Sequence, residues 1–216
     1  MRNVGSGLPE SHLIANRLVM EANTMSMYKY IRQLWKQPSK NLGELWRERL
    51  IAWRQEPSTV RIERPTRIDK ARSLGYKAKQ GYLIVRQRIM RSKRQRPKIR
   101  SGRRSKHFGR RKDISMSHQT IAERRVARKY VNLEVLNSYF VAKDGKFKWY
   151  EVILVDKAHP AILADHRINW IADSQHRRRV FRGLTSSAKH SRGLHQKGLG
   201  VIKARPSLRA HNRTLR

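Results

Sequence analysis

The 216-residue chain has no cysteine, which excludes disulfides and thiolate metal sites. It is poor in acid: 15 Asp and Glu stand against 51 Lys and Arg, a formal net charge of +36 at pH 7. No acidic residue follows Asp173, and none lies between Arg86 and Lys112. No apolar run approaches the roughly 20 residues that cross a bilayer. The first residues lack the continuous apolar stretch of a secretory signal. The positive charge is spread along the chain rather than gathered on one amphipathic helix, so no membrane partner is expected. Catalytic signatures are missing as well. The nine His fall in no metal-ligand spacing, the carboxylates are few and isolated, and neither standard Gly-rich phosphate loop occurs. The expectation is a protein that is not an enzyme and needs no cofactor.

What is present points to a polyanion. Between Arg86 and Lys112 stand fourteen cations: Arg86, Arg88, Arg91, Lys93, Arg94, Arg96, Lys98, Arg100, Arg103, Arg104, Lys106, Arg110, Arg111 and Lys112. Nothing acidic within the run offsets their mutual repulsion, and a solvated face would interleave Glu and Asp. Arginine dominates the run, and its planar fork matches phosphate bidentately and stacks on exposed bases. A pI near 11.7 fits a nucleic-acid footprint. RNA is favoured over DNA, because no helix-turn-helix, zinc finger or zipper is visible for reading a duplex. Long irregular basic arms also suit the clefts of a folded RNA.

The rest of the chain has enough apolar material for one compact domain. Hydrophobic residues make up 38% of it, and it carries five Trp and seven Tyr. Tyr28 to Gln37 reads as a helix broken by Pro38. A second helix, capped by Ser39 or Asn41, carries Leu42, Leu45, Trp46, Leu50 and Trp53 at helical spacing. Trp35, Trp46 and Trp53 are expected in packing. Alternation predicts a strand from Thr59 to Glu63 and a firmer one opened by Gly81, with Leu83, Val85 and Ile89 on one face and Arg86 and Arg88 on the other. Asp69 to Leu74 supplies one or two helical turns, stopped by Gly75. Ser115 or Ser117 caps a helix reaching Tyr130, and Thr120 with Glu123 forms an alternative capping box. Asp144-Gly145 marks a hairpin between strands Leu133–Val141 and Phe147–Val155. The end of the return strand, Val152 to Val155, is apolar on both faces and so expects cover on both sides. Ala161 to Leu163 starts a helical turn, Trp170-Ile171 packs on the core, and Arg177 to Arg179 close a last turn. Residues 182–216 read as an extended basic tail without a core of its own.

The stretch Arg64-Pro65-Thr66-Arg67-Ile68-Asp69-Lys70-Ala71-Arg72-Ser73-Leu74-Gly75-Tyr76-Lys77-Ala78-Lys79-Gln80-Gly81-Tyr82 closely resembles the signature of a ribosomal protein family, the large-subunit family L-fifteen-e of archaea and eukaryotes. Tyr28-Lys29-Tyr30-Ile31 is similar to the family's start. Leu136-Asn137-Ser138-Tyr139 and Tyr150 to Asp156 are similar to its hairpin strands. Arg182-Gly183-Leu184-Thr185-Ser186 with Ser191-Arg192-Gly193-Leu194 resembles its tail motif. The resemblance runs from about Met25 to Arg216 and is to the archaeal type. Between Arg91 and Ser115 it is mainly compositional.

The resemblance implies an α+β fold: a small mixed sheet in the order strand–helix–strand–helix–two strands, with helices and long basic extensions. It implies a structural protein of the cytoplasmic ribosome, a monomer within that particle. Its partners would be large-subunit rRNA and neighbouring large-subunit ribosomal proteins. Within the matched motif it assigns Arg64, Arg67, Lys70, Arg72, Lys77 and Lys79 to rRNA contact and Tyr76 to stacking. The central run contributes its own cations, and Arg177, Arg178, Arg182, Lys189 and Arg192 extend the set toward the tail. The domain division expected is 1–26 outside the family, 27–181 a core carrying the basic loop 91–114, and 182–216 the tail.

Residues 1–26 differ in composition, with Arg2 and Arg17 balanced by Glu10 and Glu21. Leu13, Ile14, Leu18 and Val19 would form a short amphipathic helix if this is a lineage-specific arm. The abrupt change at Met25 favours initiation at Met25 or Met27 instead. Mass spectrometry of the protein from its natural source is expected to find a chain that starts at one of these methionines. Peptides from 1–24 would establish the arm.

Overall fold

The computed structural model describes residues 27–91, 116–202, 204–205 and 210. They fall into two compact units, one ending at Glu48 and one beginning at Arg49. In the first, helix α1 (Met27–Leu34) is followed by a single turn, α2 (Pro38–Asn41), and by the start of α3 (Gly43–Gln55). Pro38 opens α2 rather than only ending α1, since the first helical turn has no use for the missing N–H. Asn41 does not cap α3. Its side-chain amide donates to the Leu34 carbonyl at 2.7 Å and so closes the previous helix. Trp35 sets its edge against buried Trp46, with ring centres 5.6 Å apart.

The second unit is built on one sheet. Its elements are β1 (Thr59–Ile62), α4 (Ile68–Ser73), β2 (Tyr82–Met90), α5 (His118–Lys129), β3 (Leu133–Lys143) and β4 (Phe147–Asp156). This is the strand–helix–strand–helix–two-strand order, and the fold is α+β. The sheet is not mixed, however. Its spatial order is β1-β2-β4-β3 and every pairing is antiparallel. Strands β2 and β3 run the same way across α5, but the hairpin return β4 lies between them and opposes both. Two bulges bend β3, between Val135 and Asn137 and between Phe140 and Ala142.

Period-two alternation then divides the core. Helix α5 lays Val126 against Val85, Val135, Val152 and Leu154, with Ala122 near Ile89 and Tyr150. On the opposite face Trp53 of α3 meets Trp149, centres 6.0 Å apart. Val155 is sealed there by Ile162 of α6 (Pro160–Leu163) and by Ile168 and Ile171. Residues Val152 to Val155 are fully buried, as a strand covered on both sides requires.

The apolar layers are pinned by buried carboxylates. Ser117 is the N-cap of α5, its hydroxyl accepting the Thr120 N–H at 3.2 Å. Glu123 is therefore released from any capping box. It is fully buried and accepts hydroxyl protons from Ser138 of β3 (2.5 Å), Thr185 (2.7 Å) and Ser187 (2.7 Å). For the residues from 182 to 202 this bond set corrects the expectation of an extended tail without a core of its own. Thr185 precedes helix α7 (Ser186–Ser191), which packs on α5 and β3, and Val201 of α8 (Leu199–Ile202) is buried too. The anchor is polar, so hydrophobic periodicity had nothing to register.

On the other face Glu151, fully buried, accepts the Tyr139 hydroxyl at 2.5 Å and the Thr66 N–H at 3.1 Å. Burial pushes the Glu151 carboxyl above its ordinary value, against the opposing pull of those bonds and of Arg86. The helical turn expected at Arg177 to Arg179 is also replaced. A 3-10 turn occupies Ser174–His176, and Arg178 takes a left-handed conformation (φ 54°), its N–H donating to buried Glu134 at 2.7 Å.

Two outcomes follow from this packing. Gly81 has φ 87°, and a Cβ there would lie 2.5 Å from Ile162 Cγ1. Gly81→Ala is expected to lose about 1–2 kcal/mol from backbone handedness alone and more from the overlap. Differential scanning calorimetry should show a fall of roughly 4 °C or more. For Glu151 the sign is that of an acid with a raised folded-state pKa. The cost of burying its charge is absent below its ordinary value of 4.5 and grows as pH rises toward the folded value. Glu151→Gln keeps an acceptor for both donors and removes the charge. Its melting temperature relative to wild type is expected to be more favourable at pH 7 than at pH 4.5, and a pH-independent difference would refute the assignment.

Candidate nucleic-acid interface

The expected contact residues fall into three groups. Lys93, Arg94, Arg96, Lys98, Arg100, Arg103, Arg104, Arg110, Arg111 and Lys112 lie outside the described residues. A second group is engaged within the protein. Arg86 is buried, pairs with Glu56 Oε2 at 2.7 Å and sits 4.4 Å above the Trp53 ring. Arg88 is half-buried, lies 4.6 Å over Phe147 and donates to the carbonyls of Arg54 and Trp53. Arg67 pairs with buried Asp69 at 3.4 Å. Arg192 donates to the Gly183 carbonyl at 2.9 Å, closing the turn before α7. These four resemble structural cations, held by aromatic faces and carbonyl oxygens.

The third group faces solvent. Arg64, Lys70, Arg72, Arg177, Arg178, Arg182 and Lys189 are exposed. Arg91 is exposed while donating to the Asp144 carbonyl at 2.7 Å. Arg182 is braced against its own turn by a bond from Nε to the Arg177 carbonyl at 3.0 Å. Lys77 and Lys79 share one carboxylate, Asp165, at 2.8 and 2.7 Å. Their ammonium groups hold the Asp165 carboxyl well below the usual carboxylate range, Lys77 first. Asp165 therefore stays ionised at physiological pH, and the trio keeps one net positive charge. Tyr76 is half-buried with its ring edge-on to Tyr82, centres 6.0 Å apart.

The sequence motif thus supplies two kinds of residue in alternation. Helix α4 buries Asp69 and Ala71 and presents Lys70 and Arg72 outward. At about 100° per residue Asp69 and Ala71 lie roughly 200° apart, so this short helix is covered on two sides and Lys70 and Arg72 emerge between them. Helix α5 does the same with residues not singled out by resemblance: Arg125, Arg128 and Lys129 are exposed opposite Ala122 and Val126. Their helical offset from the apolar stripe is the signal that marks them. Among the described residues no cluster of His, Cys, Asp and Glu is suited to a metal ion, and no helix is long and apolar enough to cross a membrane. The arrangement offers dispersed, rigidly mounted cations.

Two comparisons agree with this picture. The sequence model of the family described as Ribosomal L15 matches residues 26–211. The protein named Large ribosomal subunit protein eL15 from Methanocella arvoryzae is 52% identical over 190 residues, covering 87% of this chain and 97% of that protein. With exposed cations mounted on a small antiparallel sheet, and with matches over most of its length, the chain belongs to the Ribosomal L15 (L15e) family.

Proposed function

We propose that this protein is a structural constituent of the large ribosomal subunit that binds and stabilises large-subunit rRNA, supporting ribosome assembly and translation. The observation that carries the reading is the distribution of charge. Of the 15 acids, Asp69, Glu123, Glu134 and Glu151 are buried. The outward faces of α4 and α5 are left cationic. A surface so unbalanced is stabilised by phosphate, with release of condensed counterions. Family membership supports the same reading and adds neighbouring large-subunit proteins as further partners, within the cytoplasmic ribosome. The work done is binding, without turnover or cofactor.

The mechanism has two parts. The α+β body presents fixed cations on α4, α5 and the 177–182 turn. The central basic run then follows the RNA, where its mutual repulsion is cancelled. Arg64, Lys70, Arg72, Arg177, Arg182 and Lys189 serve as phosphate contacts. Arg67, Arg86, Arg88 and Arg192 hold the scaffold. Lys77 and Lys79 act as one site with Asp165.

Sucrose-gradient fractionation of a native extract should place the protein with large subunits. In vitro, log affinity for large-subunit rRNA should fall linearly with log salt. Replacing Arg64, Lys70 and Lys189 together with Ala is expected to reduce the magnitude of that slope by about 2–3, at roughly 0.7–0.9 per phosphate contact. Arg86→Met should lower the melting temperature and leave the slope unchanged. Preference for duplex DNA over rRNA in direct competition would overturn the reading in favour of a DNA-architectural role.

A further inference from the structure

A cleft of about 690 Å³ opens where the end of α5, the start of β3, the end of β4 and the 177–181 turn meet. Its volume falls within the range of roughly 300–1,000 Å³ typical of small-ligand sites. Arg128, Lys157, Arg177 and Arg178 line it, and among the described residues none of them has an acidic side-chain partner. The apolar part of the wall includes Phe181. The guanidinium of Arg178 lies 5.2 Å from that ring.

Glu134 gives the cleft its polarity. Its residue is 6% exposed, and Oε1 accepts the Arg178 N–H at 2.7 Å. The other oxygen, Oε2, has no hydrogen-bond donor among the described residues. The same bond holds Arg178 left-handed, the one non-glycine residue in that conformation among those described. Backbone strain of this kind persists where the surroundings over-determine it, and it gathers at ligand sites. Here it sets a guanidinium beside the aromatic wall.

We propose that this cleft receives a single unstacked guanine nucleotide of the bound RNA. The inference rests on the RNA-binding reading above and names a site within it. Arg128, Lys157 and Arg177 meet the nucleotide's phosphate, and the cationic lining repels a basic peptide from a neighbouring protein. Phe181 already carries the guanidinium groups of Arg178 and Arg124 over its ring, at 5.2 and 5.5 Å, so an extruded base stacks on the outer face of the Arg178 guanidinium. The carboxylate of Glu134 accepts hydrogen bonds only. Guanine presents two adjacent donors, N1–H and the 2-amino group, on its Watson–Crick edge. Uracil presents one donor between two acceptors.

The test uses the full chain and methyl and amide NMR of Leu133, Val180 and Arg178, with guanosine monophosphate, uridine monophosphate and inorganic phosphate as probes. Val131 lines the cleft but is 77% exposed, so Val131→Trp fills the space without disturbing the core. Glu134→Gln keeps an acceptor for the Arg178 N–H and loses the second carboxylate acceptor. Guanosine monophosphate is expected to shift these signals with at least tenfold lower Kd than uridine monophosphate. Val131→Trp should abolish the shifts, and Glu134→Gln should bring the two nucleotides within about threefold. On rRNA, Val131→Trp should weaken binding about three- to tenfold at every salt concentration and leave the salt slope intact. Equal binding of the two nucleotides, reproduction of the shifts by phosphate alone, or shifts that survive Val131→Trp would each overturn the proposal. If wild type binds rRNA but fails these tests, the cleft alone is refuted. If wild type does not bind rRNA, the broader reading falls.

Discussion

Scarcity of negative charge is the constraint from which the rest of this structure follows. A chain with 51 cations and 15 acids has few carboxylates to distribute, and the fold draws several of them inward. Glu123 joins α5, β3 and α7 through three hydroxyls. Glu151 joins β4, β3 and the Thr66 backbone. Glu134 fixes the Arg178 turn, and Asp165 ties two lysines of the signature motif. Each of these carboxylates thus stabilises a tertiary junction, and the burial of Glu123, Glu134 and Glu151 leaves fewer counterions for the outer surface.

The cations divide accordingly. Arg86 and Arg88 stand at the start of the densest basic run, yet their guanidinium groups are placed over Trp53 and Phe147. Removing such charges from water is costly unless every donor finds a partner. Glu56 and the Arg54 and Trp53 carbonyls supply those partners. The end of α3 that belongs to the second unit is therefore joined to the sheet by charged side chains lying on aromatic faces as well as by the Trp53–Trp149 contact. The same residue type does opposite jobs a few positions apart, and only its neighbours decide which.

Most of the framework was legible from the sequence because it obeys simple periods. Alternation in 82–90 located β2, Asp144-Gly145 located the hairpin of β3 and β4, and Ser117, one of two candidate caps with Ser115, marked the start of α5. What escaped depends on partners far along the chain. Nothing local in Thr185-Ser186-Ser187 signals a buried glutamate 62 residues away. Arg86 and Arg64 look alike as letters, but one sits under a tryptophan and the other in water. The antiparallel character of the sheet was hidden for a related reason. The βα order is compatible with a parallel crossover, and only the insertion of β4 between β2 and β3 decides it. The cleft around Glu134 is assembled from four separate elements and has no linear signature.

The hairpin tip and the α5 cap hold the described residues on either side of 92–115. Arg91 bonds through its N–H to the Lys146 carbonyl and through its guanidinium to the Asp144 carbonyl, while the Ser117 N–H donates to Ser191 Oγ. Arg91 is thus referenced to the β3–β4 turn and Ser117 to α7. A change made in either of those distant supports is transmitted to the margin of the basic segment, so its two borders report on the integrity of the hairpin and of the C-terminal helix.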